Sequence, residues 1–180
     1  MNLQKYWRNK GKDNNRTNKL TIVLFGIYLI ALFWILLFKL GVQFSYMGNR
    51  SVNLIPFSDG KIDVSEIILN VVICVPLGIY AGVLFNRRTL GIKLSFFFLI
   101  SSMFEVLQFI FRVGAFDVTD IIANTSGGII GVMIFKAIEK LFKNSVTAHK
   151  FINIIAAIGT VLMISLLLLL KMNKLPVRYQ

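Results

Sequence analysis

Five apolar stretches alternate with short polar segments along the chain, at 20–38, 66–85, 91–111, 118–135 and 151–170. Each holds roughly the 20 residues that a ~30 Å hydrocarbon core requires, so the pattern predicts an all-α, polytopic membrane protein, a bundle of about five transmembrane helices. The first stretch reads as a retained anchor. It is longer than a signal core, and no small-x-small cleavage site follows it. The remaining segments fall into a basic N-terminus at 1–19, a loop at 41–65, and a tail region at 141–180 that holds a basic linker, the fifth helix and a short terminus.

Basic residues set the orientation. Lys5, Arg8, Lys10, Lys12, Arg16 and Lys19 precede the first stretch, Arg87, Arg88 and Lys93 follow the second, and Lys136, Lys140, Lys143 and Lys150 follow the fourth. Thirteen of the 20 Lys and Arg thus share one side, which the positive-inside rule assigns to the cytoplasm. The N-terminus is predicted inside and the C-terminus outside, with the 41–65 loop outside. Lys171, Lys174 and Arg178 fall on the outer side, against the trend.

Composition agrees with a bilayer: 56% of residues are hydrophobic, 16% charged, and the mean hydropathy is +0.73. The net charge of +12 does not imply nucleic acid. The basic residues flank apolar helices without a basic, aromatic-interleaved module, and topology and anionic lipid account for them. Cys74 is the single cysteine and His149 the single histidine, so no intrachain disulfide and no His/Cys metal cluster is expected. No cofactor is expected either.

Against this apolar background a few polar residues stand out. Asn70 lies in the second stretch, Glu105 and Gln108 in the third, Asp120 and Asn124 in the fourth. Such groups in hydrocarbon are costly unless they face a partner or a cavity. Glu105 lies fourteen residues past Gly91, ~21 Å along a helix, leaving ~9 Å to the outer boundary. Asn124 is ~9 Å and Asn70 ~6 Å from the same boundary, so the groups are predicted to meet in the outer leaflet. Glu105 and Gln108 are three apart and share a face, and Arg112 lies almost on the same line. Asp117, Asp120 and Asn124 share a face of the fourth helix. The pairs Gly78/Gly82 and Gly127/Gly131 read as helix packing seams, and Pro76 as a kink. They place helices two, three and four around the site.

Plainer roles exist for most of these residues. Gln108, Asn70 and Asn124 also suit interhelical hydrogen bonds worth about 0.6 kcal/mol each. Asp117 and Asp120 also suit a helix N-terminus, where the dipole favours acids. Glu105 is hardest to explain this way, since a lone carboxylate at that depth needs a cation, a partner or a proton. The stretch Arg50-Ser51-Val52-Asn53-Leu54-Ile55-Pro56-Phe57 is too apolar for a free loop. It suits an interfacial segment, one folded back over the bundle, or a surface loop anchored by Phe57.

The chain resembles the VanZ-like membrane proteins. The resemblance lies in Asn53-Leu54-Ile55-Pro56-Phe57, in Asn70 followed by Pro76-Leu77-Gly78, and in Phe104-Glu105-Val106-Leu107-Gln108-Phe109-Ile110-Phe111. It continues through Gly114-Ala115-Phe116-Asp117-Val118-Thr119-Asp120, Asn124-Thr125 and Gly127-Gly128, and covers roughly 20–140. It implies a multi-pass protein of the bacterial cell membrane and low-level resistance to teicoplanin and related lipoglycopeptides, without precursor remodelling. The family pattern does not demand an arginine at 112.

The binding candidates are Asn53, Asn70, Gln108, Asn124, Arg112 and Arg50. In the first of three readings these form an outward pocket for a lipid head group, a cell-wall precursor or a lipoglycopeptide antibiotic, or limit the anchoring of a lipid-tailed drug. In the second the chain is a membrane enzyme, with Glu105 as general acid/base and Asp117 or Asp120 as positioning groups. The third, a transporter or flippase, fits least, because the polar groups gather near one face and line no path.

Overall fold

The structure is a computed structural model that describes residues 3–38, 52–57, 64–142 and 145–171. Five helices carry the chain: α1 (Leu3–Phe38), α2 (Val64–Leu84), α3 (Leu90–Phe111), α4 (Val118–Phe142) and α5 (Ser145–Lys171). α1 through α4 each include a stretch long and apolar enough to cross a membrane, and α5 contributes an apolar run over Val146–Val161. Two short strands, β1 (Val52–Asn53) and β2 (Phe116–Asp117), pair in parallel with Val52 opposite Phe116 and Asn53 opposite Asp117.

Three helices extend beyond the apolar stretches that announce them. α1 begins at Leu3, within the basic N-terminus, and α4 continues to Phe142, so Lys136, Glu139 and Lys140 sit on its last turns. α5 begins at Ser145, six residues ahead of its apolar stretch as read from the sequence. Lysine and glutamate are good helix formers, and nothing requires a helix to stop at the hydrocarbon boundary.

The chain forms two compact units. One joins α1 up to Tyr28 with α5, and the other spans Leu29–Lys143. In the first, Leu24, Tyr28, Ala148 and Ile152 are buried. Thr21 and Asn153 are buried too, and the Thr21 hydroxyl donates to Asn153 Oδ1 at 2.9 Å.

The core of the second unit is the contact of α2 with α4, and glycine makes it close. A Cβ on Gly78 would overlap the carbonyl of Gly128 and the Cα of Gly131, and one on Gly131 would overlap the carbonyl of Val75. At Gly78, Gly127 and Gly131 the seam is therefore backbone against backbone, whereas Gly82 makes room for the Phe135 ring. Cys74, Leu77, Ala81, Phe97, Phe104, Val132 and Phe135 fill the interior. Ile68, Val72, Phe98, Leu99, Met103, Ile110 and Met133 face outward and are exposed. So much outward apolar surface would be unstable in water and suits lipid.

α3 is capped at both ends. Thr89 Oγ1 accepts from Ile92 N at 3.5 Å, and the helix ends where Arg112 adopts the left-handed conformation at φ 57°. The chain then turns through Gly114 into β2 and α4, which brings the C-terminal end of α3 beside the N-terminal ends of α2 and α4.

Candidate functional site

The polar residues of α2, α3 and α4 converge at that end. Asn70, Glu105, Gln108, Asp120 and Asn124 line one half-open cavity of about 240 Å³, together with Ser65 and Glu66. Ile35, Leu36, Leu69 and Ile73 give it an apolar side. Glu105, Gln108, Asp120 and Asn124 are all nearly inaccessible, with Glu105 and Gln108 only 2% exposed. Side chains this polar persist in a membrane interior because they satisfy one another.

The bonds that hold them cross between helices. Asn70 Nδ2 donates to Asp120 Oδ1 at 2.7 Å, tying α2 to α4. Asn124 Nδ2 donates to Ser101 Oγ at 3.0 Å, tying α4 to α3, and Asn124 Oδ1 accepts from Cys74 Sγ at 3.3 Å. Gln108 Nε2 donates to the carbonyl of Leu36 on α1 at 2.7 Å. This bond fixes the amide orientation and leaves Gln108 Oε1 buried with no hydrogen-bond partner among the described residues.

The loop segments close over the carboxylates. Glu105 Oε2 accepts from the backbone N–H of Asp117 at 2.9 Å. Asp117 precedes α4 rather than lying on it, and its Oδ1 accepts from Thr119 N at 2.6 Å as an N-terminal cap. Its Oδ2 accepts from Asn53 Nδ2 at 3.2 Å. Asn53 Oδ1 in turn accepts from Ile55 N at 3.3 Å, and Phe57 N donates to Thr119 Oγ1 at 3.1 Å. The 52–57 segment is thereby folded back and pinned to the start of α4, while Leu54, Ile55 and Phe57 remain exposed.

Arg112 is placed differently from the helical line read in the sequence. α3 ends at Phe111, and Arg112 caps it with an exposed side chain outside the cavity lining. Asn53 and Asp117 also lie outside that lining and support it through hydrogen bonds. Arg50, like most of the 41–65 loop, lies outside the described residues.

The sequence pattern did not place Ser101, Cys74, Ser65 or Glu66 in the polar cluster. Ser101 lies four residues before Glu105 and Cys74 four after Asn70, so helical spacing places each on the polar face. Ser65 and Glu66 begin α2 one turn before Asn70. The Leu36 carbonyl had no signal to find, because a backbone acceptor leaves no mark in the residue pattern.

The family model of VanZ/LLP1 matches residues 25–143, which includes every residue that lines the cavity. The chain is 35% identical over 147 residues to Protein VanZ of Enterococcus faecium, covering 80% of this chain and 88% of that protein. No solved structure matches. With its long apolar helices and a matched region that holds the whole polar cavity, the chain is a multi-pass membrane protein and belongs to the VanZ/LLP1 family.

Proposed function

We propose that the chain is an envelope protein of the bacterial cell membrane that binds the head group of an outer-leaflet amphiphile in the cavity between α2, α3 and α4. The observation that carries this reading is the joint burial of Asn70, Glu105, Gln108, Asp120 and Asn124 around one half-open space. The positive-inside assignment turns that space outward. Its volume of about 240 Å³ is below the ~300–1,000 Å³ typical of drug-sized pockets, which favours a head group over a whole lipoglycopeptide. Relatedness to Protein VanZ supports a role in resistance to teicoplanin and related lipid-tailed drugs, which anchor in the leaflet where this head group lies.

One observation supports a second reading, a membrane enzyme. Glu105 and Asp120 are two buried carboxylates on one cavity, the arrangement that general acid/base chemistry uses.

Glu105→Gln tests the site and separates the readings. Glutamine retains an oxygen that accepts from Asp117 N, so folding and membrane levels stay near normal while the charge is lost. Drug susceptibility at matched expression is expected to return to that of cells without the protein. Full resistance in the variant would reduce Glu105 to an interhelical contact. Lipid and precursor analysis of membranes with and without the protein decides between the readings. A new covalent species that depends on Glu105 favours the enzyme, and unchanged chemistry with altered drug binding favours the binding factor.

A further inference from the structure

The buried face of α3 continues past the polar cluster to the other end of the helix. Lys93, Phe97, Ser101, Phe104, Glu105 and Gln108 form one buried stripe, spaced by three and four. The stripe packs on α4, where the Phe97 ring lies over Gly128 and Ser101 accepts from Asn124. Lys93 is its final member, in the first turn of α3, at the end of the molecule opposite the cavity.

A lysine is an unexpected residue to close such a stripe. Lys93 is only 4% exposed, and among the described residues its side chain makes no hydrogen bond and no ion pair. Helical side chains lean toward the N-terminus, so the stem runs along α4 and the ammonium reaches the cytoplasmic end. Two charges on the last turns of α4 act on it. The like charge of Lys136 weighs more than the opposite charge of Glu139, which accepts instead from Asn86 Nδ2 at 3.2 Å.

The surroundings add to the positive charge. Glu139 is the one acid in segments 85–93 and 133–142, against Arg87, Arg88, Lys93, Lys136 and Lys140. The first N–H groups of α3 have no acceptor within the helix, and the dipole turns its positive end the same way. For the exposed Arg87, Arg88 and Lys140 the positive-inside rule is a sufficient account. It is not sufficient for Lys93, because a buried ammonium beside a second lysine is costly until an anion joins them. Ile92, Met133 and Ile134, close to the two lysines along the chain, are exposed and apolar, so the anion meets acyl chain as well as charge.

We infer that Lys93 and Lys136 hold the phosphate of an anionic phospholipid at the cytoplasmic ends of α3 and α4. A phosphodiester supplies the negative charge and the acceptor oxygens that two ammonium groups lack, while its acyl chains lie on the exposed apolar residues. A zwitterionic lipid brings the same phosphate with a cation that the lysines repel. The site is independent of whatever the outer cavity binds.

The test measures lipid binding to the full chain in non-ionic detergent by native mass spectrometry. The probes are dioleoyl-phosphatidylglycerol, dioleoyl-phosphatidylcholine and soluble glycerol phosphate. Lys93→Met keeps the length of the stem and removes the ammonium, so its unfolding temperature without added lipid is expected at or above that of the wild type. Lys136→Gln is the second variant, at an exposed position, and Arg87→Gln is the control for general charge. Phosphatidylglycerol is expected to occupy one site per chain about tenfold more tightly than phosphatidylcholine. That preference should vanish in Lys93→Met and Lys136→Gln and persist in Arg87→Gln. Phosphatidylglycerol should also raise the unfolding temperature of the wild type but not of Lys93→Met. Equal losses in all three variants, or no preference in the wild type, would reduce the site to diffuse attraction and overturn it. Displacement of the lipid by an equal concentration of glycerol phosphate would overturn the lipid assignment in favour of a soluble phosphate.

Discussion

Asp120 and Glu105 hold their positions through different partners, a side-chain amide in one case and a backbone N–H in the other. Both nevertheless line the same small space, so the removal of either charge changes the field at the other. Effects of substitutions within one network are not independent. Asp120→Asn combined with Glu105→Gln is therefore expected to be no worse for resistance than the more damaging single change, read as drug susceptibility at matched expression. Losses that add would mean two separate contacts and no shared site. The residues of this cluster were legible because a polar group stands out sharply in an apolar helix, and the periods of three and four told which of them share a face. Serine and cysteine are small and weakly polar, so Ser101 and Cys74 passed as ordinary membrane residues until their bonds to Asn124 were seen. Arg112 was misplaced for a different reason. Helical spacing from Glu105 presumes that the helix continues, whereas α3 ends one residue earlier in a left-handed turn.

The contact of α2 with α4 determines whether the cavity exists, since Asn70 comes from one helix and Asp120 and Asn124 from the other. Gly131 faces the carbonyl of Val75 and the Cα of Gly78, where neither neighbour is a side chain that can rotate away. Gly131→Val must separate the helices, and overpacking of this kind costs about 1–3 kcal/mol or more. The expected outcome is a lower unfolding temperature of the purified protein and a loss of resistance that follows from loss of the Asn70–Asp120 bond. Gly91 is the control, because nothing lies within 4 Å of a Cβ placed there, and Gly91→Ala should leave both readouts unchanged. Equal damage from the two substitutions would mean that the close seam does not explain the loss, since alanine and valine both favour a helix over glycine. The seams themselves could be read from the four-residue spacing of small residues. Hydropathy located the embedded parts of the helices but not their aqueous extensions, since it is blind to polar residues that continue a helix in water. The pairing of β1 with β2 could not be read at all. Two residues carry no periodicity, and the partners are 64 positions apart.

Whether the cavity can act on the envelope depends on which way the whole molecule lies in the membrane. The helix ends that form it are the N-terminal ends of α2 and α4 and the C-terminal end of α3. The basic residues of the Arg87–Arg88 turn and of the last turns of α4 mark the opposite end. Anionic lipid and the membrane potential hold such residues in the cytoplasm, so the two ends of the molecule differ in charge as well as in chemistry. Ile55 and Leu141 are 68% and 77% exposed and lie at these two ends, which makes them suitable reporters. Cys74 is the native thiol, and it is buried. Its replacement by serine retains a donor toward Asn124 Oδ1 and removes the background signal. On that background a membrane-impermeant maleimide is expected to label Ile55→Cys in intact cells, and Leu141→Cys only after permeabilisation. The reverse pattern would place Glu105 and Asp120 in the cytoplasmic leaflet, where a lipid-tailed drug acting from outside does not reach. Resistance would then have to arise through an inner-leaflet lipid, and the link between the cavity and drug anchoring would be lost even if the cavity still bound its ligand.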